Sequence, residues 1–534
     1  MSLDSREVSD RIVAALRTAG SDRVFGMPGG GNNLDFIGAA EAAGMSFVLG
    51  HHETSVAIMA SVYGELTGAP GVCVVTRGPG AANAVNGAAN ATLDRQPLVV
   101  VTDVVSQADV GRIAHQRIDQ RMMYAPATKW SVTAGGDGPI DDVARHAVTV
   151  AMSMPPGAVH LDFDPAATCA PPPALPATAT NPVALQQALA MVAVAQRPVV
   201  VLGVGARHLS GPVRDLLRNT NAPVLTTYRA KGLVPDAWPN NAGMVSGATM
   251  EAPILGAADL IVFIGMDTVE LFPGSWPYPA PVVAFAAWPE DSQYAPLACE
   301  VVGDLELMIA QLAGIWPATT WEHGAGRAHF DREIARLRAA GPDSPLLQPQ
   351  QVVDLARAAA PAGSIATIDS GAHMLPATVL WPVDEVNEMV ISSGLVTMGF
   401  ALPAAIAAGY ARQGTRVVCF TGDGGLGMCL GEMETLRRSG LPVTVVVVNG
   451  SRLSLISIKA KPQGHGGAGA VTFDATEFDT VARGFGIPGF AASTAAEFEV
   501  AMKDALAVDG PSLVDARIDP SGYKDIVNAV RGAR

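Results

Sequence analysis

The chain has 534 residues, of which 49% are hydrophobic and 16% charged, and its formal net charge is -15. That length exceeds what one hydrophobic core can organise and implies several domains. An acidic balance with no basic run argues against nucleic-acid and anionic-membrane partners, and no apolar run reaches the length of a membrane span.

The abundance of Ala, Gly and Val suits buried parallel sheets covered by helices. Cys73, Cys169, Cys299, Cys419 and Cys429 are widely spaced and form no CxxC pair. Core thiols are therefore expected, not a disulfide framework or a zinc site. The stretch MSLDSREVSDR is charged and lacks the apolar segment of a signal peptide, so a cytoplasmic protein is expected.

In chain order, Val8 to Ala19 has apolar residues at helical spacing. Val24-Phe25-Gly26 then leads into the loop from Pro28 to Asn33. Ser46 to Leu49 reads as a strand, and Thr54 to Gly64 as a helix after Gly50-His51-His52-Glu53. Gly71 to Thr76 is a strand that runs into Arg77-Gly78-Pro79-Gly80 and a helix over 81–90. Pro97 to Thr102 is a further strand. Such alternation implies a doubly wound parallel sheet. Residues 1–175 make a first domain.

Ala170 to Pro182, APPPALPATATNP, has no periodicity and reads as a linker. A second domain spans 183–340, with strands over 199–203, 222–226, 260–265 and 282–285. Gly203-Val204-Gly205 starts like a dinucleotide fingerprint, but His208 stands at its third glycine position. A third domain spans 345–534. It holds a strand over 364–368, the turn Asp369-Ser370-Gly371 and a helix over 399–410. The fold class is thus α/β, with three doubly wound parallel-sheet domains. The first and third share an architecture without obvious sequence similarity.

The third domain contains the stretch most suggestive of a ligand, GDGGLGMCLGEMETLRRSGLPVTVVVVNG, residues 422–450. A strand over 416–420, the glycine turn, a helix carrying Met428, Leu430, Met433 and Leu436, and a strand over 443–448 form a βαβ unit. Backbone N–H groups at the turn can hold a diphosphate, and Asp423 can share a hard divalent cation with it. An ordinary tight turn is the alternative. Glu53 opens a helix that is nearly all apolar, where partial desolvation eases proton sharing. The alternative is an acid favoured by the helix dipole. His51 and His52 are either acid–base groups or strand-end fillers. Asn83 and Asn86 are caps or ligands. His115-Gln116 lie in a polar segment, IAHQRIDQRMM, and Lys459 follows the βαβ unit.

Four motifs together resemble the thiamine diphosphate-dependent enzymes of the acetolactate synthase type, with benzoylformate decarboxylase and benzaldehyde lyase as more distant relatives. They are FGMPGGGNNLDF, HHETSVAIMASVYGELTGAPGVCVVTRGPGAAN, SSGLVTMGFALPAAIAAGYA and the GDG that precedes Asn449. The resemblance covers essentially the whole chain and implies pyrimidine-binding, central and diphosphate-binding domains in that order. It implies that Glu53 hydrogen-bonds the aminopyrimidine, that Met398 props the bent cofactor, and that the Val396 carbonyl accepts from its amine. Pro79, Asn83, Gly371, His373, Gly422, Asp423, Gly424, Gly425 and Asn449 match cofactor-binding positions. Asp423, Asn449 and the Arg452 backbone match the site of Mg2+ or another divalent cation. Gly30, Gly31 and Gln116 match positions around the reaction centre, where His115 stands in place of the Phe of acetolactate synthases, with His51, His52 and Lys459 toward substrate.

The implied substrate is a small 2-oxo acid, with an aldehyde or second keto acid as acceptor. The implied assembly is a homodimer or homotetramer with sites at the interface. Relatives often have Gly where this chain has Val396. They carry Asn or Asp where it has Gly450, and acetolactate synthases carry Trp where it has Lys459. The central domain of acetolactate synthases binds FAD; TTYRAKG and FIGMD match that signature only loosely, and no flavin is expected. Other readings of the chain are a lyase of a 2-hydroxyacyl-CoA or diketone, a cofactor-binding homologue that has lost catalysis, and a nicotinamide oxidoreductase.

Overall fold

The computed structural model describes residues 3–174, 180–245, 247–271, 274–290, 294–460 and 468–532. Part of the expected linker, residues 175–179, lies outside the described residues. The chain forms three six-stranded sheets. The first holds β1 (Arg23–Met27), β2 (Ser46–Leu49), β3 (Gly71–Val75), β4 (Leu98–Asp103), β5 (Trp130–Asp137) and β6 (Ala158–Thr168), in the order β2-β1-β3-β4-β6-β5. The second holds β7 (Pro198–Leu202), β8 (Val224–Thr226), β9 (Asn241–Met244), β10 (Leu260–Ile264), β11 (Val282–Ala286) and β12 (Leu297–Val302), in the order β12-β11-β10-β7-β8-β9. The third holds β13 (Ile365–Ile368), β14 (Met389–Ile391), β15 (Val417–Gly422), β16 (Val443–Asn449), β17 (Gly489–Ala492) and β18 (Ser512–Arg517), in the order β14-β13-β15-β16-β18-β17.

The sequence of the inner strands explains this architecture. β3 is GVCVV, β7 is PVVVL and β16 is VTVVVVN, and every residue of each is buried. Continuous apolar runs without alternation suit strands covered on both faces, and the pairing is parallel, as in β1 with β3 and β7 with β10. All five cysteines are buried and free, as core thiols. Among the described residues no helix is long and apolar enough to cross a membrane.

Caps account for where several helices begin. The first, Ser5–Thr18, starts ahead of its apolar stripe because Asp4 and Glu7 form a capping box. Val8, Ile12 and Leu16 are the buried stripe. The helix expected to carry Met428 through Leu436 is instead two, Asp423–Met428 and Glu432–Ser439. Gly427 and Gly431 border the break, where helix propensity is lowest. As a result Met428 is exposed, while Met433 and Leu436 are buried.

The chain divides into two compact units. One comprises Met1–Pro176, Gly394–Gly414 and Gly427–Val443; the other comprises Ala177–Ser393, Thr415–Leu426 and Thr444–Arg534. The first unit therefore contains the first sheet together with the helices Ala401–Ala411 and Glu432–Ser439.

Candidate active site

In the first unit the loop after β1 lies across the ends of β3 and β4. A Cβ on Gly29 would stand 2.3 Å from Thr76 Oγ1, and one on Gly31 would stand 1.9 Å from Asp103 Oδ2. Gly30 between them has open space around it. Glu53 opens the helix Glu53–Thr67 directly after β2 and is buried, with 8% of its surface exposed. Its approach is fixed from two sides. His52 Nδ1 accepts the Thr54 N–H at 3.1 Å, and Glu432 Oε1 accepts the N–H groups of His51 and His52 at 3.0 Å each. Glu53 Oε2 accepts from Asn83 Nδ2 at 3.0 Å. Its Oε1 takes no hydrogen bond among the described residues, and it lies 3.4 Å from where a Cβ on Gly80 would be.

Pro79 begins the helix Pro79–Leu93, behind Gly78 at φ +67°. The Gly78 N–H donates to Gln120 Oε1 at 2.9 Å. Gln120 Nε2 in turn lies 2.7 Å from Asp162 Oδ1 and 3.0 Å from both Thr102 Oγ1 and the Asp103 carbonyl. His160 completes this network, with Nε2 2.7 Å from Thr102 Oγ1, Nδ1 2.9 Å from Ser131 Oγ and its ring stacked on Tyr124. Burial pushes His160 down to about 3 and Asp162 up to about 6.

The same unit holds the segment with Val396 and Met398 against the helix Pro79–Leu93 and its cap. The Gly394 N–H donates to Asp94 Oδ1 at 2.7 Å, and Thr397 Oγ1 lies 2.8 Å from Asn86 Oδ1. Val396 has φ +58°. A β-branched residue held in that region costs about 1–3 kcal/mol, a strain concentrated at functional sites. Met398 is half-buried.

In the other unit, Asp423 opens the short helix after β15. Its Oδ1 accepts from the Gly424 N–H at 2.7 Å, and its Oδ2 from the N–H groups of Gly450 and Arg452 at 3.2 and 3.1 Å. Burial still pushes its carboxyl above the usual range. The His373 ring lies against two glycines: its Cε1 is 2.7 Å from the Cβ position of Gly371 and 3.2 Å from that of Gly422. His373 is buried, which lowers its pKa to about 4, and its Nε2 has no partner among the described residues. Asp369 Oδ2 accepts from Thr421 Oγ1 at 2.9 Å and lies 2.5 Å from the Cβ position of Gly425.

The remaining expected residues lie at the strand end and on the surface. Asn449, expected as a cation ligand, donates through Nδ2 to the Thr476 carbonyl and to Asp515 Oδ1, at 3.0 and 2.9 Å, and its Oδ1 accepts from the Ser451 N–H at 3.3 Å. That oxygen, the atom a cation would take, keeps one lone pair. The Arg452 carbonyl accepts from the Ser454 N–H at 2.9 Å and keeps one lone pair. A Cβ on Gly450 would stand 3.2 Å from Pro520 Cβ. His51 pairs with Glu434 at 2.7 Å on the surface. His115 and Gln116 are exposed, and Gln116 has φ +57°. Lys459 is exposed at the end of the helix Ser454–Ala460.

Two positioning residues escape sequence reasoning, Glu432 and Gln120. Glu432 was concealed because its partners lie 380 and 381 residues away. Gln120 sits in the polar segment already singled out, four residues beyond Gln116.

Family models match part of each of the three sheets. Residues 6–123 match the N-terminal TPP binding domain of thiamine pyrophosphate enzymes, 185–312 their central domain and 369–516 their C-terminal TPP binding domain. The chain belongs to the thiamine pyrophosphate enzyme family. Among curated relatives of this family member, the acetolactate synthase isozyme 1 large subunit of Escherichia coli is 28% identical over 95% of this chain and 93% of its own length. The acetolactate synthase of Bacillus subtilis is 27% identical over 99% of this chain and 95% of its own. A Rhodococcus jostii thiamine diphosphate-dependent 4-hydroxybenzoylformate decarboxylase shares the fold. Its TM-score is 0.79 at 23% identity, covering 96% of this chain and 99% of that one.

The residues present fit the family's cofactor at both ends. The unpartnered Nε2 of His373 beside two glycines suits a diphosphate oxygen, and Glu53 Oε1 beside Gly80 leaves an acceptor for an aminopyrimidine. For a cation the donor set is lean. Among the described residues no group of three or more His, Cys, Asp or Glu could hold a metal. One carboxylate with phosphate oxygens and water is nonetheless a usual environment for magnesium.

Proposed function

We propose that this enzyme breaks or forms a C–C bond beside the carbonyl of a small 2-oxo acid, as a decarboxylase or carboligase of the acetolactate synthase type. Thiamine diphosphate supplies a nucleophilic carbon and an electron sink for that chemistry; the chain supplies position and electrostatics. In this reading Glu53 holds a proton at the aminopyrimidine through Oε1, while Asn83 fixes its other oxygen. The Val396 carbonyl accepts from the aminopyrimidine amine, and Met398 supports the bent cofactor. Gly371, His373 and the turn Gly422–Gly425 hold the diphosphate. Asp423 anchors magnesium, with the Arg452 carbonyl and water completing it. Gly30, Gly31, His115, Gln116, His51, His52 and Lys459 shape the access of substrate. Assembly as a homodimer or homotetramer belongs to the same reading.

The observation that carries it is the Glu53 carboxylate, buried at the start of an apolar helix, with one oxygen bonded to Asn83 and the other facing a glycine. Its test is Glu53→Gln. Turnover of 2-oxo acids, followed as CO2 release and product mass, is expected to fall by about 10²–10⁴-fold. Thiamine diphosphate binding, read by calorimetry, stays within severalfold of the parent. Undiminished turnover in this variant overturns the assignment. A parent that forms product without releasing CO2 moves the reaction to the thioester- or diketone-cleaving class.

A further inference from the structure

The central sheet winds outward in both directions from the adjacent strands β7 and β10. In a doubly wound sheet, the crevice beyond the carboxyl ends of such a pair takes phosphate-bearing ligands on the N–H groups of the first turn. Here that turn is Gly203-Val204-Gly205-Ala206, directly after β7. Its N–H groups are already used within the chain. Gly203 donates to the Ile264 carbonyl at 3.0 Å, Gly205 to the Gly265 carbonyl at 2.8 Å and Ala206 to the Gly203 carbonyl at 3.1 Å. The Val204 N–H donates to Glu270 Oε2 at 2.8 Å.

Glu270 comes from the loop after β10, so this last bond crosses the crevice. Its other oxygen, Oε1, accepts from Thr227 Oγ1 at 2.7 Å, at the end of β8. Arg207 and Arg229 lie close enough to act on Glu270 electrostatically, and Asp267 adds a like charge. The mouth is narrowed as well. A Cβ on Gly205 would stand 3.0 Å from the Trp288 ring, and Trp288 Nε1 is anchored on Glu290 Oε1 at 3.1 Å. Glu290 Oε2 also accepts from Thr268 Oγ1 at 2.7 Å, tying the loops after β10 and β11 together.

We propose that Glu270 is a built-in stand-in for a ligand phosphate and that, with Trp288, it closes the nucleotide crevice of the central domain against flavins and other nucleoside diphosphates. Each carboxylate oxygen takes a donor that a phosphate oxygen would take, and the arginines supply the positive field an anion needs. Burial pushes the Glu270 carboxyl up to about 7, while the Val204 and Thr227 bonds and Arg229 pull it back toward the charged form. Removing the carboxylate leaves the Val204 N–H and the Thr227 hydroxyl without their acceptor, within the field of two arginines, which is the composition of an anion site.

The test uses the full chain saturated with thiamine diphosphate and magnesium, so that the cofactor's own diphosphate site is occupied. ADP and FAD binding are measured by calorimetry for the parent and for Glu270→Ala. The parent is expected to bind neither, at a detection limit of about 1 mM ligand. Glu270→Ala is expected to bind ADP at least about tenfold more tightly than that limit. If Glu270→Ala does not fold, Glu270→Gln, of nearly the same shape but uncharged, carries the same comparison. Micromolar binding of ADP or FAD by the parent overturns the proposal, as does a folded variant with no gain. A wrong cofactor assignment for the enzyme shows instead as no thiamine diphosphate binding in parent and variant alike, whatever Glu270→Ala does to ADP binding, and is distinguished in that way.

Discussion

The first and third sheets have the same topology, and their site carboxylates differ in kind. Both run in the order second, first, third, fourth, sixth, fifth strand. In each, the turn after the first strand meets the turn after the third, where a doubly wound sheet places its ligand. Each crossing is sealed by glycine against Asp or Thr: Gly29 on Thr76 and Gly31 on Asp103 in one, Gly425 on Asp369 and Thr421 in the other. Glu53 follows the second strand and has one side-chain donor. Asp423 follows the third strand and has three backbone donors. Glu53 is thus held by one neutral side chain, whereas Asp423 is held by backbone N–H groups that cannot titrate.

That contrast predicts different failures for equivalent changes. Where Glu53→Gln keeps the cofactor and loses turnover, Asp423→Asn is expected to lose the cofactor. Replacing the anchoring charge should weaken magnesium-dependent thiamine diphosphate binding by about 10²-fold, or about 2.7 kcal/mol, as read by calorimetry. Activity should return in part at saturating cofactor and metal. If Asp423→Asn binds as the parent does but turns over poorly, the two carboxylates have the same role and the comparison breaks.

A smaller effect is expected at Glu432, which holds the approach to Glu53. Glu432 is fully buried and accepts both the His51 and His52 N–H groups on one oxygen, while Thr435 donates to the other at 2.7 Å. Glu432→Gln removes a charged acceptor and should destabilise the fold by about 1–3 kcal/mol in urea denaturation. Turnover should fall at saturating substrate, because Glu53 loses its setting. Restoring the carboxylate one methylene shorter, Glu432→Asp, should recover part of both losses. The exposed His51–Glu434 pair beside it is expected to contribute little, so Glu434→Gln serves as the control.

Local patterns made much of this visible in the sequence. Apolar runs such as VTVVVVN announce a doubly covered strand, and Gly-Asp-Gly after one announces a turn at a sheet edge. Glu53 could be singled out because an acid among Val56, Ala57, Ile58 and Met59 breaks a pattern. What stayed hidden depends on pairing across the chain. Nothing near Asn449 signals that Asp515, 66 residues later, accepts from its amide nitrogen. Nothing near Glu432 points to His51. The split between the helices Asp423–Met428 and Glu432–Ser439 was also missed, since Met428 keeps helical spacing with buried partners while itself facing outward. Val396 could be flagged only as an unusual residue type; its left-handed backbone required coordinates.

The smallest expected effect on turnover belongs to the paired titration behind the Gly78–Pro79 turn of the first sheet. Asp162 is faced by His160 at 3.4 Å, by Thr102 and Gln120 as donors, and by the charges of Arg121 and Asp119. Burial raises the folded Asp162 to about 6 from 3.8, so the folded chain holds a proton there that the unfolded chain has lost. This contribution to stability is full below pH 3.8 and disappears as pH rises through about 6. Burial lowers His160 to about 3 from 6.5, so the folded chain lacks a proton that the unfolded chain holds, and its contribution grows over that interval. The two slopes oppose each other across the window they share. Asp162→Asn removes only the falling slope, since the amide can still accept from Gln120 and Thr102. Relative to the parent, the variant should therefore gain stability as pH rises from about 4 to about 6, in urea titrations at several pH values. A difference that is flat with pH means that Asp162 does not hold its proton in the folded chain. The Gly78–Pro79 turn would then rest on an ionised aspartate, and the paired titration would vanish.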